Sequence, residues 1–175
     1  IMWLNIKTGY SFRKVYGHLD RVAKKCASIG PYAGIADIDG TYGHIKWRSA
    51  CKKEGIEPIY GVKLAVFEDA KVKIRRIDHS YMTFIAKTTD GLKEIYNLVK
   101  IAHDQFYYIP RIDYDDINAL SDSVAIISGH APKWNLIDRL VYQEVGPHIK
   151  NHEGQQYTKI ACIDNYYVNK EDDVI

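Results

Sequence analysis

YAGIADIDGTYGHIKWRSACKKEGIEPIYGVKLAVF, residues 32–67, decides how the rest of the chain folds. Tyr32 to Ile38 is a short apolar run without alternation, the pattern of a strand covered on both faces. A turn rich in Asp and Gly follows it. The spacing then predicts a helix over about Gly43 to Glu54, packing Trp47, Ala50 and Cys51 against a sheet, and a second strand over Glu57 to Phe67. A helix between two such strands is a βαβ unit, which implies a parallel pair. Working groups in such units sit at the carboxyl ends of the strands. Here those ends carry Asp37, Ile38 and Asp39, and then Lys63 just after Gly61.

Outward from this unit, Met2 to Ile6 reads as a first strand and His18 to Ile29 as an amphipathic helix with Leu19, Val22, Ala23, Cys26 and Ile29 on one face, stopped by Gly30-Pro31. Glu68 to His79 is polar, and its alternating Lys71, Lys73, Arg75 and Arg76 suggest an exposed hairpin with a protected edge. Tyr81 to Lys87 is the next strand, and Asp90 to His103 a helix with Leu92, Ile95, Tyr96, Leu98, Val99 and Ala102 at helical spacing. Pro110 keeps QFYYIPRID, residues 105–113, out of helix, and its aromatics read as a buried corner. A short helix over Tyr114 to Leu120 precedes the strand Val124 to Ser128. One or two helical turns over Trp134 to Leu140, strands at Val141 to Val145 and Lys159 to Ile163, and a loop from Gly146 to Tyr157 complete the chain. Strands and helices in this order suggest one domain over residues 1–175, a small and partly irregular parallel α/β barrel of about seven strands.

Composition narrows the function classes. The 24 basic and 22 acidic residues nearly cancel, so no global field draws the chain to nucleic acid or membrane. Cys26, Cys51 and Cys162 lack metal-ligand spacing, which points to free core thiols and a reducing, cytoplasmic setting. The residues given show no signal-peptide pattern and no apolar run of spanning length, so neither a leader nor a membrane span is expected. Ile1 ahead of Met2 suggests a tag remnant or a cut from a longer chain. The fourteen tyrosines each need a wet end or a partner for the hydroxyl, and so belong at rims and interfaces. DIDGTYG, residues 37–43, lacks the later acidic ligands of a calcium loop. His148 and His152 are four apart, but Gly146, Pro147 and Gly154 make a loop of them. His44 suits a surface or capping role, and His79 and His103 read as exposed. No phosphate-binding glycine loop and no Ser-His-Asp order occurs.

Seven stretches, taken in order, resemble one family. LNIKTGYS (Leu4 to Ser11), GIADIDGTYG (Gly34 to Gly43), EGIEPIYGVKLAV, YMTFIAKTTDGLKEI (Tyr81 to Ile95), YYIPRID (Tyr107 to Asp113) and ISGH (Ile127 to His130) with ACIDNYYVNKED are similar to the PHP (polymerase and histidinol phosphatase) domain. Within that family the quoted stretches resemble the version at the amino end of bacterial C-family DNA polymerases, the polymerase III alpha type. The resemblance runs from Leu4 to Asp172 and implies a distorted seven-stranded β/α barrel, here with shortened connections. Active members of the family hold up to three metal ions at the carboxyl ends of the strands and hydrolyse phosphoesters with them. That chemistry needs converging His nitrogens and carboxylates.

Position by position, the resemblance places the family's ligands on Asn5, Lys7, Lys14, Ile38, Lys63, Tyr81, His130, Asp164 and Tyr166. Only His130 and Asp164 keep a ligand type. Three lysines enter instead, and two ammonium groups about 6 Å apart repel by roughly 3 kcal/mol at an effective dielectric near 20, which disfavours a divalent cation. The simplest account has Lys7, Lys14 and Lys63 as internal counter-ions for Asp37, Asp39 and Asp164. The sharper one has them accept a phosphate or nucleic-acid backbone. The expectation is a domain without cofactor or enzymatic activity, serving as scaffold or docking module in DNA replication. The resemblance implies a replicative polymerase or a proofreading exonuclease subunit as partner. The alternatives are a metal-dependent phosphoesterase with an altered centre built on His130 and Asp164, with His44 or Asp39 as a further ligand, and a metal-free nucleic-acid binder using the lysines or Lys71 to Arg76.

Overall fold

Strands β1 (Trp3–Ile6), β2 (Tyr32–Ile38) and β3 (Glu57–Phe67) are linked through helices α1 (Leu19–Ala27) and α2 (His44–Glu54). The computed structural model describes residues 2–12, 14–15, 17–75, 77–129, 132–145 and 158–161. β2 and β3 pair in parallel from Tyr32–Glu57 to Ile38–Lys63, as the βαβ pattern demands. The helix between them ends because Gly55 takes the left-handed conformation (φ 72°) that closes its last turn. Trp47, Ala50 and Cys51 are buried against the sheet, and the Trp47 indole donates to the Ala33 carbonyl at 3.3 Å. Gly34 admits the close approach of β1, since a Cβ there would stand 2.8 Å from the Leu4 backbone.

The chain continues through β4 (Ser80–Ala86), α3 (Thr89–Asp104), β5 (Arg111–Asp113), α4 (Tyr114–Asn118), β6 (Val124–Ser128), a 3-10 turn at Trp134–Leu136, β7 (Tyr142–Val145) and β8 (Lys159–Ala161). The sheet order is β1-β2-β3-β4-β6-β7-β8, and β5 pairs with the far end of β3, continuing the row that β2 leaves. It is a mixed sheet, not the parallel one expected from the sequence. β4 runs antiparallel to both β3 and β6. The cause is the segment 68–79, which has no helix to carry the chain back over the sheet; without a crossover the next strand returns antiparallel. That segment is also not the hairpin its charges suggest: its described residues form turns and irregular backbone.

Alternation along the strands sorts the core. Val62, Leu64, Val66, Met82, Phe84 and Ile126 face α3 and α4, while Ile6, Ala33 and Ile35 face α1 and α2. The opposite face holds Ala36, Ile85 and Ile127, with Ile59, Ala125, Tyr142 and Ile160 beside them. This inner face curls on itself. The Thr83 hydroxyl on β4 reaches Asn5 Oδ1 on β1 at 3.3 Å, although two strands stand between them in the sheet. Residues of β1, β3, β4, β6, β7 and β8 share one inner apolar cavity of about 350 Å³. The result is an α/β half-barrel with helices outside, in which β1 and β8 are not paired with one another among the described residues.

Two smaller expectations change. The aromatic run 106–108 is no buried corner: Phe106 and Tyr108 are more than half exposed, and the buried residues come after it, at Pro110, Arg111 and Ile112. Arg111 is the charged one among them. Its guanidinium lies 4.2 Å from the Phe67 ring centroid and donates to the carbonyls of Val72 and Tyr107. Cys26 and Cys51 are free and buried. The expected loop from Gly146 to Tyr157 and its histidines, like Cys162, lie outside the described residues.

Candidate functional site

The inner face changes character toward the carboxyl ends of β1, β2 and β3. Asn5 and Lys7 alternate with the outward Ile6; Ile38 stands beside Lys63, and Lys63 beside Thr83, by strand register. Tyr81 joins them because reversed β4 brings its amino end to the mouth, where it pairs with Ala65. Five of the nine positions singled out from the sequence, Asn5, Lys7, Ile38, Lys63 and Tyr81, therefore share one mouth. Lys14 is exposed on the loop that follows β1. His130, Asp164 and Tyr166 lie outside the described residues.

Lys7 is the most telling of the five. Its side chain is 2% exposed, and its ammonium donates to the Asn5 carbonyl (3.1 Å) and to Asn5 Oδ1 (2.5 Å). Asn5 Oδ1 also accepts from Thr83, so the amide oxygen already serves two donors. Beside this group Ile38 offers no ligand atom. The Tyr81 phenol is pushed up to about 12, first by burial and then by the charge of Asp39, so it stays protonated. These five side chains do not fit a multi-metal phosphoesterase centre, which needs unprotonated nitrogens and carboxylates converging on the cations. Among the described residues no group of three or more His, Cys, Asp or Glu is placed to hold a metal ion.

The two aspartates after β2 have opposite surroundings. Asp37 alternates with Ile38 and so faces the helix side, where its carboxylate accepts from the Thr8 N–H (2.6 Å), the Thr8 hydroxyl (2.8 Å) and the Ser11 hydroxyl (2.6 Å). It clamps the loop after β1. Burial still pushes its pKa above the usual carboxylate value, against the pull of these hydrogen bonds and, more weakly, of Lys7. Asp39 sits in the left-handed region (φ 66°), and its buried Oδ1 has no hydrogen-bond partner among the described residues. Burial raises its pKa to about 6, opposed by the charges of His103, Lys14 and His79. Lys14 is thus within electrostatic reach of Asp39, and Lys7 of Asp37.

Other groups at or near this mouth carry little sequence signal. His103, on α3, hydrogen-bonds the Asp39 carbonyl at 2.9 Å from 64 residues away. His79 stacks on Phe67 at 4.8 Å and meets Tyr81 edge-on. Glu144, 6% exposed on β7, shares the inner side with Tyr142; the alternation there was legible but its phase was not. His44 is neither at the surface nor a cap. It is 3% exposed, with Nε2 3.0 Å from the Gly61 carbonyl and Nδ1 3.4 Å from the Tyr96 hydroxyl, and burial lowers its pKa. It joins α2 to β3 and α3, which removes it from any altered metal centre.

A curled α/β sheet with outer helices and a polar cluster at the mouth defines a β/α-barrel type of domain. The model of the PHP domain matches residues 4–167, and the chain belongs to that family. It is similar to the DNA polymerase III subunit alpha of Borreliella burgdorferi, 28% identical over 86% of the chain and 16% of the relative. It is also similar to those of Aquifex aeolicus (33% over 64% of the chain, 11% of the relative) and Chlamydia pneumoniae (29% over 63%, 9% of the relative). The chain thus spans a sixth or less of the length of these relatives. Among solved structures, a protein described as a metal-dependent phosphoesterase from Bifidobacterium adolescentis aligns with 59% of the chain and 33% of its own (16% identity, TM-score 0.42). An amidohydrolase from Chromobacterium violaceum gives the same coverages at 14% identity and a TM-score of 0.43.

Proposed function

We propose that this PHP domain works without divalent metal, as a scaffold or docking element of DNA replication rather than as a phosphoesterase. One observation carries the reading: a buried ammonium, Lys7, is hydrogen-bonded to Asn5 where the family resemblance puts two metal ligands. The relationship to polymerase III alpha subunits supports the replicative context. A partner of polymerase or proofreading-exonuclease type follows from that context. The reading is tested by dialysing the full chain against zinc and manganese and counting bound metal by elemental analysis, with hydrolysis of a phosphodiester model substrate followed in parallel. The expected result is metal far below one ion per chain and no hydrolysis above blank. Stoichiometric metal together with chelator-sensitive hydrolysis overturns it.

A second reading, a phosphoesterase with an altered centre, is favoured by one feature: a carboxyl oxygen of Asp39 that has no hydrogen-bond partner among the described residues and feels the charges of His103 and His79. It places a metal on Asp39 with help from His130 and Asp164. It requires that His130→Ala and Asp39→Asn each abolish a metal-dependent hydrolysis.

A further inference from the structure

Outside the mouth, charge and exposed aromatics gather on one surface. α1 and α2 pack against each other and present Arg21, Lys24, Lys25, Lys46, Arg48, Lys52 and Lys53 to solvent. Against these seven basic side chains the two helices carry two acidic ones, Asp20 and Glu54. The whole chain is only +2, so everything outside the two helices is net acidic. The basic face is therefore segregated and not a sample of the average surface.

Beside it stands an aromatic strip built from two loops. Phe12, after β1, is 69% exposed, and Tyr42, after β2, is 60% exposed; their centroids are 6.3 Å apart and their planes tilted by 51°. Tyr10 meets Phe12 edge-on at 6.5 Å, and the Lys46 ammonium lies 5.5 Å from the Tyr10 centroid. Neither exposed ring is stacked flat on another ring; Tyr42 rests against Gly40 and leaves the rest of its surface, like most of Phe12, to solvent. Tyr10 and Lys46 also line a cleft of about 490 Å³ between the loop 9–18 and the helices, with Ser49 and Lys53 on its far wall. Exposed aromatic groups of this size ordinarily have a use.

We propose that this surface binds single-stranded nucleic acid, with bases stacking on Phe12 and Tyr42 and the phosphate backbone running over Lys46 and Lys53 along the α1–α2 face. Lysine is depleted at protein–protein interfaces, whereas aromatic faces set in a basic track are the composition that holds single strands. Unpaired bases are required because only they offer a π-face to an exposed ring. The site uses none of the mouth residues and stands whether or not the mouth binds metal.

Fluorescence anisotropy of the full chain with a labelled oligothymidylate of about 20 nucleotides, and with a duplex of the same length, tests this. The single strand should bind at about 50 mM salt and weaken about tenfold or more by about 200 mM, through lost counterion release. Phe12→Ala and Tyr42→Ala should each lower its affinity about tenfold, within the range for losing one stacked base, and leave any duplex binding unchanged. Lys46→Glu with Lys53→Glu should weaken both. All four residues are exposed, so unchanged thermal unfolding of the variants excludes misfolding as the cause. No binding at low salt, equal affinity for single strand and duplex, or aromatic variants that bind like the parent each overturn the proposal.

Discussion

Two carboxylates separated by one residue show how closely a side chain's fate follows its donors. Asp37 is supplied with three hydrogen bonds by Thr8 and Ser11, while the buried Oδ1 of Asp39 has none among the described residues. The pKa of Asp39 stands at about 6 against an ordinary 3.8, chiefly through burial. A carboxyl raised in the folded state contributes stability that is fully present below about pH 4 and lost as pH climbs through 6, so at neutral pH its charge works against folding. Asp39→Asn should therefore stabilise the protein at pH 7, by about 1 kcal/mol once solvent screening is allowed for, and make little difference at pH 4. Asparagine also tolerates the left-handed backbone at this position. Urea unfolding of parent and variant at the two pH values measures it. A loss of stability at pH 7 would show instead that the carboxylate is held ionised by a cation.

At the scale of elements, the strands and helices were legible wherever local pattern agreed with tertiary use. Tyr32–Ile38 and Glu57–Phe67 follow their apolar runs to within a residue or so, because Ala33 to Asp37 and Leu64 to Phe67 are buried on both faces. The segment 68–79 was not legible, since its alternating charges imitate a strand while none of its described residues pairs in the sheet. One buried side chain anchors its middle, beside the contacts that Glu68, Ala70, Arg75 and His79 make at other points. Arg111 donates to the Val72 carbonyl at 2.9 Å and to the Tyr107 carbonyl at 2.5 Å, with its guanidinium against Phe67. Arg111→Met keeps the stem and removes both donors, leaving two carbonyls to find water. The expected cost is about 3 kcal/mol, given the strength of hydrogen bonds from charged donors and the penalty for orphaned acceptors. Trypsin should then cut faster at Lys71, Lys73 and Arg75 than in the parent protein. Equal cleavage rates would mean that the segment is anchored elsewhere.

For the whole molecule, the half-barrel and its family could be read from motifs in order, but the direction of β4 could not, because strand reversal leaves no mark on an apolar run. The mouth was half legible. Register put Asn5, Lys7, Ile38, Lys63 and Tyr81 together, while the burial of Lys7 and the approach of His103 to Asp39 depend on contacts many residues apart. Metal independence is also a statement about the entire fold, since a ligand that binds only the native state stabilises all of it. Manganese at a hundred times its dissociation constant would add about 2.7 kcal/mol. For a domain of this size each kcal/mol moves the melting temperature by about 2–4 °C, so a functioning centre predicts a rise of about 5–10 °C on adding the metal. With Lys7 buried against Asn5 and no carboxylate among the five mouth positions, manganese, zinc and chelator should each leave the transition within about 1 °C of its value in plain buffer. A reproducible upward shift with manganese that the chelator reverses would place a cation in the native state and count against a metal-free mouth.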